Sequence, residues 1–197
     1  NVNKLLGVGG SKGYSATKDD LFCDGQAGVQ GVAIDPDYAK NGFVYLYSSS
    51  KGANRTYGGY NNIVMRMKVN GSLNGISDLK EIISDLGYKP LKSNHPFGGP
   101  GAHNGGRIRF GPDGFLYVTI GDNHNGAGPQ SPTELRGKLL RVDRDGKAAA
   151  GNNPPAGFDK RIFAYGFRNP QGIAFRPGTG DVYLSENGPW HSDEVTK

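Results

Sequence analysis

The sequence predicts an all-β chain of antiparallel four-stranded units arranged as a β-propeller, with about three blades within its 197 residues. Three observations lead there. A strand, proline turn and strand recur: Gly31–Pro36, Gly106–Pro112 and Gly172–Pro177 each precede an aromatic or aliphatic strand, at Phe43–Tyr47, Phe115–Ile120 and Val182–Leu184. Thirty-three glycines and twelve prolines supply the turns, while ten tyrosines and nine phenylalanines supply core area that a disordered chain lacks. No amphipathic helix of useful length interrupts the pattern.

Taken in order, the chain opens with Gly7–Gly13, whose spacing suits neither a dinucleotide fingerprint nor a Walker loop and reads as a loop. Two strands then flank Asp35-Pro36-Asp37 and a Lys40-Asn41-Gly42 turn. Further strands are expected at Asn62–Val69 and Leu79–Leu86. Arg107–Phe110 and Leu116–Ile120 form a hairpin about Pro112-Asp113-Gly114, since the runs alternate or nearly alternate in polarity around a tight-turn signal. Lys138–Asp143 and Arg161–Tyr165, a strand also read as Ile162–Phe167, complete the second unit. Propellers close with roughly four to eight blades, so three leave open sheet edges. The expectation is therefore a single partial propeller domain over 1–197, completed by further C-terminal blades or by a partner chain. The start at Asn1 suggests a processed or trimmed product.

Composition excludes several classes. The formal net charge is +5, but the basic residues are dispersed and interrupted by acids, as in Arg141-Val142-Asp143-Arg144, which argues against nucleic acid. No run of about 18 apolar residues marks a membrane span, and no charged start with an apolar core marks a signal peptide. Cys23 is the one cysteine, so no internal disulfide exists, and it reads as a buried or incidental thiol. Asn54-Arg55-Thr56 and Asn70-Gly71-Ser72 match the glycosylation triplet, which matters only in a eukaryotic secretory setting. The four histidines and Cys23 make no paired zinc motif, and no Gly-x-Ser-x-Gly elbow supports a hydrolase.

Three constellations could carry chemistry. His103 precedes the first strand of the hairpin and Asp122 follows the second, so antiparallel pairing brings both to one end, where a carboxylate can orient an imidazole as a general base. A surface loop histidine is the alternative reading. Arg168-Asn169-Pro170-Gln171-Gly172 offers a guanidinium fork beside carboxamides, suited to an acidic or quinonoid ligand or simply to tying down a turn. In Ser185–Glu194, the Gly188 and Pro189 carbonyls with acids close behind suit a hard cation such as calcium, or make only an acidic turn.

In this order the three constellations resemble the soluble PQQ-dependent aldose sugar dehydrogenases, the glucose/sorbosone dehydrogenase family, whose fold is a six-bladed propeller. The resemblance runs from about Gly25 to Glu194 and is carried by His103-Asn104-Gly105-Gly106-Arg107, Gly111-Pro112-Asp113-Gly114 through Gly121-Asp122, and Phe167-Arg168-Asn169-Pro170-Gln171-Gly172. It implies an oxidoreductase that converts an aldose to its lactone. His103 would take the anomeric hydroxyl proton, Asp122 would orient His103, and hydride would pass from sugar C1 to C5 of PQQ. Arg168 would stabilise charge on the quinone oxygen. Gln26, Asn169 and Gln171 would contact substrate or cofactor. The carbonyls of Gly188 and Pro189 would bind a calcium ion that holds PQQ, with Asp193 and Glu194 in a neighbouring acidic segment.

The resemblance further implies a periplasmic or secreted location and an electron acceptor. Phe167 replaces a frequent histidine, and Trp190-His191 replaces smaller residues. No glutamine clearly follows Asp122, which counts against glucose as the preferred sugar. The family's PQQ-clamping lysine, threonine and arginines lie beyond residue 197, so this chain alone is expected to bind cofactor poorly. The competing reading is a non-enzymatic propeller binding a protein or glycan through the same face.

Overall fold

The computed structural model describes Leu5, residues 21–90 and residues 99–197; Gly7–Gly13 and His95 lie outside the described residues. Three antiparallel sheets follow one another along the chain. The first joins β1 (Val29–Ile34), β2 (Phe43–Lys51), β3 (Tyr60–Val69) and β4 (Ile76–Leu86) in sequential order. The second joins β5 (Ile108–Phe110), β6 (Leu116–Ile120), β7 (Lys138–Val142) and β8 (Ile162–Tyr165) in the same way. In the third, β10 (Val182–Glu186) lies between β9 (Pro170–Phe175) and β11 (Glu194–Thr196). These are about three propeller blades. The third differs from the four-strand expectation in having three strands among the described residues.

The turns form where the sequence places them, with one refinement. Asp35-Pro36-Asp37 leads into a single helical turn, α1 (Tyr38–Asn41), which Gly42 ends at φ 69°, a left-handed conformation that glycine adopts without cost to a Cβ. In the second blade Gly114 takes φ 79° and its N–H bonds the Gly111 carbonyl at 3.0 Å, closing the hairpin. The Asp113 carboxylate then accepts from Tyr117 Oη at 2.9 Å and Arg141 Nε at 2.8 Å. Strand β8 ends at Tyr165, the end of the Arg161–Tyr165 run and short of Phe167, because Gly166 turns the chain at φ 104°.

The blades pack face to face through apolar residues, the second blade on both of its sides. Tyr45, Tyr47, Val64, Ile83 and Leu86 of the first meet Ile108, Leu116, Val118, Ile120, Leu140 and Val142 of the second. Tyr117 and Leu139, on the opposite face of the second blade, meet Leu184 of the third with Ile173 and Phe175 around it. Strand β6 is therefore buried at all five positions and covered on both faces, which suits its aromatic and aliphatic composition. Each such aliphatic side chain contributes about 1.5–3 kcal/mol on burial. Leu46, Ile63, Met65 and Met67 form a separate cluster on the far face of the first blade. Near it, Val29, Val32 and Ile34 of β1 are 57–63% exposed, the open edge expected of a partial ring.

Antiparallel blades put the start of the first strand and the end of the second at one end of the sheet. Gln26, His103 and Arg168 each precede the first strand of a blade, while Asp122 and Asn187 follow the second. The threefold recurrence in the sequence thus becomes one end of the molecule, where loops from all three blades meet.

Candidate active site

At that end the segment Gly101–Gly106 is held from both sides. Tyr47 Oη of the first blade donates to the Asn104 carbonyl at 3.0 Å, and Asn62 Nδ2 donates to Asn104 Oδ1 at 2.9 Å. From the third blade, Asn169 Oδ1 accepts from the Gly105 N–H at 3.2 Å. These ties bury His103 to 6% exposure, which overturns the surface-loop alternative. The glycine-rich surroundings misled because they allow close backbone approach here, not freedom in water. A Cβ at Gly121 would lie 2.0 Å from the His103 carbonyl oxygen, and one at Gly105 would lie 2.7 Å from that of Thr119.

Within this segment Nδ1 of His103 lies 2.7 Å from Oδ1 of Asp122. A carboxylate only accepts, so the proton between them belongs to Nδ1, the arrangement that leaves Nε2 as the lone-pair nitrogen of a neutral ring. His103 itself sits at φ 52°, uncommon for a side chain of this size. Asp122 is fixed in turn: its N–H donates to the Arg168 carbonyl at 2.7 Å, and its Oδ1 accepts from the His124 N–H at 2.8 Å. The hairpin of the second blade and the entry to the third are thereby joined through the backbone of Asp122 and Arg168.

Arg168 directs Nη1 to the Asn187 carbonyl at 2.7 Å and the Gly188 carbonyl at 3.1 Å. Its own N–H donates to Glu186 Oε2 at 2.9 Å. Glu186 is buried, and burial raises its pKa above the usual carboxylate range against the opposing pull of the Arg168 N–H. Sequence reasoning quoted Glu186 within an acidic segment but missed its part in seating Arg168. Asn169 is also buried, with Oδ1 shared between the Gly105 N–H and Gln171 Nε2, the latter at 2.8 Å. It ties the His103 segment to β9, a structural duty the sequence does not display.

The other expected residues lie around this centre. Gln26 is exposed, and its carbonyl accepts from Asn104 Nδ2 at 3.3 Å, which puts it beside the His103 segment. Gln171 also lines a cavity of about 570 Å³ between β1, β5 and β9, with Arg107 and Arg109 in its wall. Cys23 is exposed rather than buried.

Three of the calcium candidates, Gly188, Pro189 and Asp193, occupy the loop between β10 and β11. The Gly188 carbonyl accepts from Arg168 and the Pro189 carbonyl from the Ser192 N–H at 3.1 Å, so each keeps a second lone pair for a cation. Asp193 turns Oδ1 to the Gly188 N–H at 3.0 Å, and Glu194 is exposed on β11. The donors are all oxygen, the chemistry a hard cation takes. Among the described residues no group of three or more His, Cys, Asp or Glu converges as a metal site.

One stacked ring completes the site. The imidazole of His124 lies against that of His103 with centroids 3.8 Å apart and planes 22° from parallel. A buried, oriented base with a fixed guanidinium on the adjoining loop can take a proton from a hydroxyl and stabilise negative charge developing beside it.

Comparison with known proteins identifies the family and the fold. The family model described as Glucose / Sorbosone dehydrogenase matches residues 7–197. The chain is 30% identical over 193 residues to the aldose sugar dehydrogenase YliI of Escherichia coli, covering 93% of this chain and 48% of that protein. It is also 30% identical to quinoprotein glucose dehydrogenase B of Acinetobacter calcoaceticus, covering 87% of this chain and 38% of that one. The PQQ-bound aldose sugar dehydrogenase of Streptomyces coelicolor superposes with a TM-score of 0.74 at 29% identity, over 89% of this chain and 46% of that structure. The chain thus spans about half the length of its relatives or less.

Proposed function

The chain belongs to the glucose/sorbosone dehydrogenase family, and we propose that it forms part of a PQQ-dependent aldose dehydrogenase that oxidises a sugar at C1 to the lactone. The observation that carries this reading is the buried His103–Asp122 pair, joined through the Asp122 N–H to the Arg168 carbonyl. His103 Nε2 accepts the proton of the anomeric hydroxyl. Asp122 holds Nδ1–H, keeps the ring in the tautomer with a free Nε2, and stabilises the imidazolium that results. Arg168 is the cation that would offset the negative charge the bound cofactor takes up with the two electrons of the sugar.

PQQ, when bound, supplies the two-electron sink. Gln26, Asn169 and Gln171 stand around the site as its contacts, with Asn169 acting chiefly by holding the His103 segment in place. Calcium would be held by the carbonyls of Gly188 and Pro189, with Asp193 and Glu194 nearby, and would supply a Lewis acid. The open edge of β1 fits a partial propeller domain over 1–197 that further blades or a partner chain complete, and those parts complete the cofactor site. Among the described residues no helix is long and apolar enough to cross a membrane. We assign the protein to the periplasm or the exterior, where an electron acceptor reoxidises the cofactor.

The test uses the protein at the full length of its reading frame, supplied with PQQ and calcium, a panel of aldoses and an artificial electron acceptor. Lactone formation that falls by orders of magnitude in His103→Ala, with PQQ still bound, supports the assignment. No turnover of any aldose by the loaded wild type defeats it.

A further inference from the structure

We infer that His124 is a positioning residue for the base, locking both members of the His103–Asp122 pair. This rests on the reading of His103 as the base. The hydrogen bond from Nδ1 to Asp122 Oδ1, 2.7 Å long, fixes one atom of the imidazole. Rotation of the ring about that line remains, and the χ2 torsion of histidine is broad. The His124 ring removes this freedom, because a face contact with centroids 3.8 Å apart and planes 22° from parallel defines the plane of the His103 ring.

The same residue also acts on the acid. The His124 backbone N–H donates to Asp122 Oδ1 at 2.8 Å, the oxygen that His103 uses. One residue therefore holds the carboxylate oxygen through its backbone and the imidazole face through its side chain.

The backbone is costly to maintain. His124 and the preceding Asn123 take φ values of 57° and 52°, two left-handed side-chain-bearing residues in succession, and His103 opposite them is at 52°. Such conformations persist where the surroundings over-determine them, and they gather at working sites. Asn123 contributes to this framework, its Nδ2 donating to the His103 carbonyl at 3.0 Å. Glycine at 124 would meet the backbone requirement with less strain. A histidine here is accounted for by its ring.

Two variants separate ring from backbone. His124→Gly keeps the left-handed turn and removes the stack, whereas His124→Phe keeps a flat ring and removes the nitrogens. In the full-length protein loaded with PQQ and calcium, His124→Gly is expected to lower kcat on the order of 10- to 100-fold, with KM changed by less than about 3-fold. His124→Phe should restore kcat to within about 3-fold of wild type, as a stacking role requires.

A second readout needs neither cofactor nor turnover. Spectra of the cofactor-free protein should show one sharp set of His103 ring C–H signals in wild type and His124→Phe, and broadened or doubled ring signals in His124→Gly, as rotation about the Nδ1–Asp122 line predicts. Unchanged His103 signals together with unchanged kcat in His124→Gly would overturn the inference, as would failure of His124→Phe to rescue either property. If wild type oxidises no aldose, the dehydrogenase reading falls, while the spectra still decide whether His124 locks the ring.

Discussion

His103 and Asp122 lie 19 residues apart and meet at 2.7 Å because one is the entrance and the other the exit of the same hairpin. The second bond of Asp122, from its N–H to the Arg168 carbonyl at 2.7 Å, makes the acid a joint between two blades as well as a partner for the base. Asp122→Asn keeps the backbone joint and replaces the acceptor. An amide turned to donate to Nδ1 selects the tautomer in which Nε2 carries the proton and cannot act as base. We expect kcat to fall about 10²- to 10⁴-fold with PQQ affinity nearly unchanged. Wild-type turnover in that variant would remove Asp122 from the mechanism.

Arg168 reaches two successive carbonyls, those of Asn187 and Gly188, with Nη1. Arg168→Lys retains the charge but loses the planar fork. The loop carrying the Gly188 and Pro189 carbonyls should loosen, and affinity for calcium and PQQ should drop on the order of 10-fold, the effect of losing one charge-assisted hydrogen bond. Titration by calorimetry with the full-length protein checks this. Equal affinities would mean that the loop is set by Asp193 and the Ser192 turn instead.

The repeat, the turns and the hairpin were legible because each depends on local chemistry: alternating runs, proline, and glycine at left-handed positions. The pairing of His103 with Asp122 followed from hairpin geometry alone. The burial of His103 did not, since it depends on Tyr47, Asn62 and Asn169, which come from two other blades and bond to the segment across long stretches of chain. Glu186 was hidden for the same reason. Its neighbours in sequence resemble an acidic turn, whereas its partner, the Arg168 N–H, lies 18 residues away. His124 could have been suspected from its place two residues after Asp122, but stacking is set by left-handed backbone at Asn123 and His124, where neither residue is a glycine.

Gly121, between the end of β6 and Asp122, tests whether close packing beneath the site matters. A Cβ there would lie 2.0 Å from the His103 carbonyl oxygen and 2.6 Å from its carbon, both backbone atoms that cannot swing aside. Gly121→Ala should cost about 1–3 kcal/mol or more through overpacking and displace His103 from Asp122. Loss of activity with a lowered melting temperature is expected. Wild-type values of both would show that the segment yields more readily than its ties suggest.

The opposite end of the molecule offers a test of stability. Asp35 is buried, and burial alone would raise its pKa, but Arg144 Nε at 2.8 Å and Nη2 at 3.0 Å, the Asp37 N–H and Tyr45 Oη outweigh that and hold it at about 2, against 3.8 for an unperturbed aspartate. This pair joins the first blade to the second. A carboxylate whose folded pKa is depressed contributes stability that is complete above its unfolded pKa and lost as pH falls towards the folded value. The window therefore runs from about pH 4 down to about pH 2. With Arg144 40% exposed, solvent screening reduces the contribution to about 1–2 kcal/mol. Urea unfolding at pH 7 and pH 3 should show wild type losing more stability on acidification than Asp35→Asn, which has no charge to lose. Equal losses in the two proteins would place the acid sensitivity elsewhere and leave Asp35–Arg144 as a packing contact between blades.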